Sequence, residues 1–587
     1  MNAANLKPMG SGDQVLSHAE KYFWATSTRL VVDRMGAMLR RHRALLVFIV
    51  VLASGVAQAQ DATVELLRAR LEHWREDPSF TLRTVTLAAG EPLTTLYARR
   101  GFTRAWVDPA PRAQLLQAIR DSRDDGLDPE DYLLTPLEVL EGELARGATV
   151  DAVVDRDLLM TEALARLMFH VMFGKVDPAA FDPQWNFART LHRNDPAAFL
   201  QDLIASGDVL AAVEREKPQF DMYAHLREAL ARYRGIEARG GWPGLATGPT
   251  LTAGMRDARV ITLRSRLAAA GELEAGQVSD AELFDPPLEA ALRDFQARHG
   301  LATDGALGPG TLAALNVPVS DRITQIRVNL ERGRWLLHEL DPTFVVVNVA
   351  GFQVYYIRDG QLAWTAHTVV GKPFRKTPLF RARIQYIVFN PTWTVPPGIL
   401  AKDILPAMRR DPGYLARKRI DVVDRSGRVV PADSVDWNAK TIPHQLVQRS
   451  GADNALGVVK FMFPNTYSVY LHDTSSKELF QEADRTFSSG CIRVEKPLEL
   501  AELLLQGQPG WDRAGIDAVV QRGTTRTVSL AKPVPVLLTY WTAWVEASGT
   551  LQFRKDVYGR DAAIAQALAN RFDADDAQRR VSAALAH

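Results

Sequence analysis

Apolar positions recur at intervals of three and four from residue 62 to residue 234, as in Val64, Leu67, Leu71 and Trp74 and again in Leu158, Ala165, Met168 and Met172. That period predicts a helical scaffold spanning residues 60–235. Residues 236–255 are dense in Gly and Pro and predict a linker in which no helix persists. The pattern of a small helical module returns over 256–317, with Leu263 and Leu267 on one face and Leu288, Leu292 and Phe295 on another. Thr303-Asp304-Gly305 and Gly308-Pro309 mark a tight turn before its last helix. A connecting helix follows within 318–343, carrying Ile326, Leu330, Trp335 and Leu336.

The period then changes to two. Phe344–Val349, Phe352–Ile357 and Leu362–Val370 are β-branched and aromatic runs, and Asp359-Gly360 between the last two is a hairpin turn signal. Further strands are expected at Ile384–Phe389, Gly457–Phe463, Ser468–Leu471 and Val536–Trp544, the last pairing with Leu551–Phe553. Between them, about 401–450 is charged and dotted with Pro. It predicts a mostly helical insertion, placed to lie over a site as a lid. The β-rich domain covers 344–560, and 561–587 reads as a C-terminal helix. The fold class is therefore multi-domain α+β.

Composition narrows the function classes. With 70 Lys+Arg against 69 Asp+Glu, the 587-residue chain has no net field to concentrate nucleic acid. The single cysteine, Cys491, excludes an intramolecular disulfide framework and any multi-cysteine metal site. The 12 histidines show no metal-binding spacing, so no metal site is read from them. At the amino end, Arg40, Arg41 and Arg43 precede the apolar run Ala44–Ala53 and the small-residue site Ala57-Gln58-Ala59. Residues 1–59 are thus expected to hold an upstream segment and a secretory signal cut after Ala59, which implies periplasmic export; an uncleaved membrane anchor is the alternative. Met35 and Met38 stand where such a signal would normally begin.

The chemistry concentrates in Tyr470-Leu471-His472-Asp473-Thr474 and Phe487-Ser488-Ser489-Gly490-Cys491-Ile492-Arg493-Val494. A thiol is mostly protonated at neutral pH and needs a base to become a nucleophile. His472, 19 residues upstream at the end of an apolar run, is the candidate. Ser488, Ser489 and Gly490 are small enough to let backbone approach a carbonyl, and the amides of Gly490 and Cys491 are the candidate oxyanion donors. A lone cysteine is more often an inert buried hydrophobe. An exported free thiol, however, is an oxidation liability, and this one follows a Ser-Ser-Gly turn with a histidine upstream.

At these residues the sequence closely resembles the L,D-transpeptidase family, whose signature is a histidine, a spacer, then a small-x-Gly-Cys turn. Val369-Val370-Gly371-Lys372-Pro373, Asn390-Pro391-Thr392-Trp393 and Gly457-Val458-Val459-Lys460-Phe461 extend the likeness, and Phe295–Asn316 resembles the peptidoglycan-binding three-helix domain. The layout is similar to the large Gram-negative members with a capped catalytic domain. One departure is Ser489, where many members carry a second histidine, although the large subfamily has serine there.

The resemblance implies acyl transfer by catalytic Cys491 and His472, with release of D-alanine, a stem-peptide thioester and a 3-to-3 cross-link, and it implies no metal or organic cofactor. A backbone carbonyl near Asp473 would orient the imidazole. The implied substrate-binding residues are Arg493, Ser489, Ser488, Tyr470, Trp393 and Asp473. The implied partners are peptidoglycan stem peptides and glycan, with other cell-wall synthesis enzymes as further candidates. Water or an envelope-protein lysine as acceptor would make it an L,D-carboxypeptidase or an anchoring enzyme. A non-catalytic wall-binding scaffold and a cysteine endopeptidase of unrelated fold are the competing classes.

Overall fold

The computed structural model describes residues 60–585 apart from 78, 183–184, 188–194, 275–278 and 440–441. The expectations for residues 1–59 lie outside the described residues. Within them the architecture is multi-domain α+β. No helix among the described residues is long and apolar enough to cross a membrane.

The scaffold is built around the helix Val150–Phe173, which is buried along most of its length because other helices pack against it on several sides. Burying its acidic groups is tolerable only because each is saturated. Asp157 accepts from Tyr97 Oη at 2.7 Å and from the amides of Ala105 and Trp106 at 2.7 and 2.9 Å. Glu162 accepts from the amides of Ala88 and Ala89 and from Arg166 Nε. A two-stranded hairpin, Thr81–Leu82 with Val85–Thr86, interrupts the helices. The last scaffold helix, Asp221–Ala238, continues through Gly235. The Gly/Pro-rich stretch therefore does not exclude helix from its start, because one glycine inside a well-packed last turn costs only about 1 kcal/mol.

The small module is three helices, Arg259–Ala269, Pro286–Arg298 and Pro309–Leu315, around its own apolar cluster. The connecting helix, Val319–Leu336, is the hub of the molecule. It packs against Asp221–Ala238, Asp561–Ala569 and the hairpin of Ala543–Val545 with Leu551–Phe553. Its Glu331–Arg334 pair is fully buried, and Arg334 reaches the Asp125 carbonyl at 2.8 Å and Tyr223 Oη at 3.0 Å. Scaffold and β-domain thus share one apolar cluster.

The β-domain is a nine-stranded sheet in the order Thr486–Ser488, Gln361–Gly371, Ile492–Val494, Leu471–His472, Val459–Met462, Phe380–Phe389, Arg526–Thr539, Phe344–Asn348, Gln353–Arg358. Gln353–Arg358 also pairs with Gln361–Gly371, which closes the sheet into a barrel and leaves Thr486–Ser488 hanging at its seam. The hairpin at Asp359-Gly360 has φ of 49° and 78°, both left-handed, the geometry that gives a two-residue turn the twist of its strands.

Three expectations need correction. The run Val536–Trp544 is not one strand: Arg526–Thr539 belongs to the barrel, and Ala543–Val545 turns away to pair with Leu551–Phe553. The C-terminal region is two helices, Asp561–Ala569 and Ala574–Leu585, broken at Asn570, whose ψ of 146° is extended. The insertion is not mostly helical. A helical stretch over 397–417, with a π-helical turn at Leu400–Ile404, is followed by Ile420–Val423, Val429–Val430 and Gln445–Gln448, which form a four-stranded sheet with Trp393–Thr394. Val395, Ile404, Leu415, Ile420, Val422, Val435 and Leu446 give it a separate small core. Charge and Pro density concealed these short strands.

Candidate active site

Strands Leu471–His472 and Ile492–Val494 run parallel, with Leu471 opposite Ile492 and His472 opposite Arg493. Leu471 and Ile492 point into the core and are fully buried. Alternation then sends Tyr470, His472, Cys491 and Arg493 to the other face, where all four line one open cavity of about 490 Å³. Lys460 lies opposite His472 on the third strand, so a cation stands on each side of the imidazole.

His472 is 4% exposed, and its Nδ1 lies 2.5 Å from the Asp473 carbonyl. Only a protonated Nδ1 satisfies that carbonyl, which leaves Nε2 as the free base. Burial first, then the Arg493 charge, push the imidazole down to about 3, so it is neutral at physiological pH. Burial also raises the Cys491 thiol, against hydrogen bonds from Tyr470 and the nearby Arg493 and Lys460 charges. The resting pair is therefore thiol and imidazole, not thiolate and imidazolium. Cys491 is partly exposed, and its Sγ lies 3.8 Å from the Ser468 carbonyl.

The turn before the thiol is held from within. Ser488 Oγ donates to the Cys491 carbonyl at 2.6 Å and accepts from the Gly490 amide at 3.1 Å, while Thr377 Oγ1 donates to the Gly490 carbonyl at 2.9 Å. Gly490 has φ +119°, outside the range of ordinary side-chain-bearing residues. Its amide is occupied by Ser488, so Gly490 is not a free oxyanion donor in this arrangement. The Cys491 amide has no acceptor among the described residues and remains available.

The other candidates divide. Ser488, Ser489, Tyr470, Trp393 and Arg493 line the cavity. The Arg493 backbone is held in the sheet, and its guanidinium has no hydrogen bond or ion pair among the described residues, with Glu478 the nearby opposite charge. Asp473 is a correction: it does not line the cavity. Its carboxylate accepts from the Val458 amide at 2.9 Å and pairs with Lys477, and it is 4% exposed. Its part is to hold the turn whose carbonyl orients His472.

Sequence reasoning missed Arg375. Its Nη1 lies 2.7 Å from Ser489 Oγ and 2.8 Å from Asp403 Oδ2 of the insertion. The insertion and the segment leading into it also bring Pro396, Ile399 and Lys402 to the cavity wall. Among the described residues no group of three or more His, Cys, Asp or Glu is placed to hold a metal.

Comparison with known proteins meets this geometry. The L,D-transpeptidase catalytic domain matches residues 342–520, a scaffold domain residues 91–230 and a peptidoglycan binding domain residues 256–315. A protein of Haemophilus influenzae named "Putative L,D-transpeptidase" is 36% identical over 222 residues, 38% of this chain and 45% of that protein. The chain thus spans less than half the length of this relative. The chain carries a catalytic domain of the L,D-transpeptidase family, joined to a peptidoglycan-binding module.

Two solved structures are more distant. The L,D-transpeptidase of Xylanimonas cellulosilytica is 14% identical, with 50% of this chain and 99% of that chain covered and a TM-score of 0.16. L,D-transpeptidase 1 of Mycobacterium tuberculosis is 13% identical, with 34% and 62% covered and a TM-score of 0.14. At TM-scores this low the likenesses carry no weight for the fold.

Proposed function

We propose that this protein is an exported peptidoglycan L,D-transpeptidase acting through a cysteine thioester. The observation that carries this reading is that a neutral, backbone-oriented His472 and the only thiol of the chain, immediately before the neighbouring parallel strand, line one open cavity. Nε2 of His472 takes the proton as Sγ of Cys491 attacks the carbonyl between meso-diaminopimelate and the terminal D-alanine of a tetrapeptide stem. The Cys491 amide stabilises the oxyanion, D-alanine leaves with the proton, and the tripeptide remains as a thioester. An amine of a second stem attacks that thioester, His472 accepts its proton, and the thiol is restored as the 3-to-3 cross-link forms.

Arg493 supplies the one cation of the thiol strand that faces the cavity, suited to a stem carboxylate. The insertion acts as a lid that shields the thioester from water, favouring transfer over hydrolysis. The peptidoglycan-binding module keeps the polymer close, and the domains act outside the cytoplasm, where that polymer lies. The domains that cooperate in this way are the scaffold over 60–235, the module over 256–317 and the catalytic domain over 344–560.

The test is incubation of residues 60–587 and of Cys491→Ala with disaccharide tetrapeptides, followed by mass spectrometry. D-Alanine release and cross-linked dimer are expected from the first and not the second. Equal behaviour removes the enzyme reading, and tripeptide without dimer converts it to a carboxypeptidase. A carbapenem is expected to add its mass to Cys491.

A further inference from the structure

A second cleft, of about 550 Å³, opens on the catalytic domain away from the thiol. Trp364 lies near the start of the strand Gln361–Gly371, whose far end, at Val369, pairs with Arg493. Five residues of strand separate the two levels by about 17 Å. The other wall is the end of the helix Pro497–Leu505 and the loop that follows it to Asp512.

The lining combines Trp364 and Trp511 with Glu499, Glu502, Gln506 and Asp512, and includes no Lys or Arg among the described residues. Trp364 is half-buried, packs in part against the catalytic-domain core, and has no aromatic ring or cation stacked on it among the described residues. Its Nε1 donates to Glu499 Oε2 at 2.9 Å, which fixes the orientation of the indole plane. Trp511 packs on Phe389 with ring centroids 5.5 Å apart, and Arg526 lies 5.3 Å from its centroid, so it presents an edge rather than a face. Glu502 has no hydrogen-bond or ion-pair partner among the described residues. Gly507 and Gly510, where an added methyl would meet nothing within 4 Å, leave the rim low and open.

Glu499, Glu502 and Asp512 make the lining acidic, and the nearby cations are turned to other groups, Arg358 to Gln506 and the Leu503 carbonyl and Arg526 to the Trp511 ring, so the cleft disfavours carboxylates and phosphates. A fixed indole face beside planar carboxylates and an amide suits a ligand that is flat and apolar on one side and rich in hydroxyl or amide donors at its edge. We propose that this cleft binds a neutral saccharide chain, with Trp364 under one pyranose ring and Glu499 and Glu502 accepting from its hydroxyls. An open rim lets a polymer run across rather than end inside. The choice of an N-acetylated glycan as the polymer rests on the peptidoglycan reading above; the saccharide chemistry does not.

The test is calorimetric titration of the full chain with chitotetraose, with maltotetraose and tetralysine as the other ligands. Saturable binding of chitotetraose is expected, weakened at least tenfold by Trp364→Ala and by the surface change Glu502→Ala, and unchanged in Cys491→Ala. Maltotetraose binding with the same Trp364 dependence also upholds a saccharide site while removing its glycan assignment. No saturable saccharide binding, binding indifferent to both cleft changes, or Trp364-dependent binding of tetralysine alone overturns the inference. Because Cys491→Ala is inactive in the proposed reaction, loss of that reaction and loss of saccharide binding are read separately.

Discussion

Arg375 Nη1 lies 2.7 Å from the hydroxyl of Ser489, two residues before the thiol, and the same nitrogen lies 2.8 Å from Asp403 of the insertion. One guanidinium thus ties the turn that presents Cys491 to the insertion at the cavity wall. Arg375→Ala is expected to slow acylation of Cys491 threefold to tenfold, about 1 kcal/mol for partly exposed charge-assisted bonds. Asp403→Asn should show a smaller loss. Time courses of intact mass with a carbapenem measure both, and wild-type rates in Arg375→Ala would remove the clamp.

Gly490 needs its backbone conformation rather than space, since the nearest atom to an added methyl would be the Lys376 carbonyl at 3.8 Å. Gly490→Ala is therefore expected to cost about 1–3 kcal/mol through its φ of +119°. The damage should stay local, with acylation lost and far-UV circular dichroism retained. Thr377→Val, which removes the bond to the Gly490 carbonyl, should reduce acylation in the same direction.

With the thiol raised by burial and the imidazole lowered to about 3, no thiolate–imidazolium pair exists at neutral pH. Alkylation of Cys491 by iodoacetamide should rise continuously above pH 8 without a reactive plateau between pH 5 and 7. Tyr470→Phe removes a hydrogen bond that favours the thiolate and should move the rise to higher pH. A plateau in the acidic range would contradict the neutral pair.

Acid should destabilise the fold through histidines kept neutral by burial. His472, His170 and His299 all have lowered folded-state values, against about 6.5 in an unfolded chain. The unfolded chain binds the extra protons, so their contribution is complete above pH 6.5 and is lost as pH falls below it, for His472 down to about 3. Each histidine adds at most about 1.4 kcal/mol per pH unit. Urea midpoints between pH 7 and pH 5 should fall less steeply for His472→Asn than for wild type; parallel slopes would exclude His472 as a contributor.

Gly457 has φ +60°, and a methyl there would overlap the Asp473 side chain. Gly457→Ala should displace Asp473, and with it the carbonyl that holds His472. A stability loss above about 2 kcal/mol is expected, together with acylation below a tenth of wild type. Asp473→Asn, which keeps the shape but weakens the bond to the Val458 amide, should be milder in both measurements.

The elements were legible where one physical rule acted alone. The interval of three and four marked the scaffold helices because apolar positions at that spacing share a helix face, and Asp359-Gly360 marked its hairpin because the turn demands two left-handed residues. Reading failed where two rules competed. In the insertion, charge and Pro density outweighed short β signals, and those strands exist because they share a small core with Trp393 and Val395. Val536–Trp544 reads as one apolar run, yet at Thr542 the chain leaves the barrel. The Thr542 amide donates to Asn329 of the connecting helix at 3.0 Å, a partner more than two hundred residues away in sequence.

The site divides in the same way. Sequence alone singled out the candidates for reactive chemistry: a single thiol, a histidine at the end of an apolar run, a run of small residues before the thiol, and an arginine alternating with apolar neighbours. Those are properties of side-chain type and short-range period. Only the tertiary structure decided how the backbone groups were spent, giving the Gly490 amide to Ser488 and the Asp473 carboxylate to the Val458 amide. It also brought Arg375 and Asp403 to the thiol and set Lys460 and Arg493 on either side of the imidazole. Strand register and hydrogen-bond partnership are relations between distant segments, fixed when the barrel closes, and no local pattern of residues encodes them.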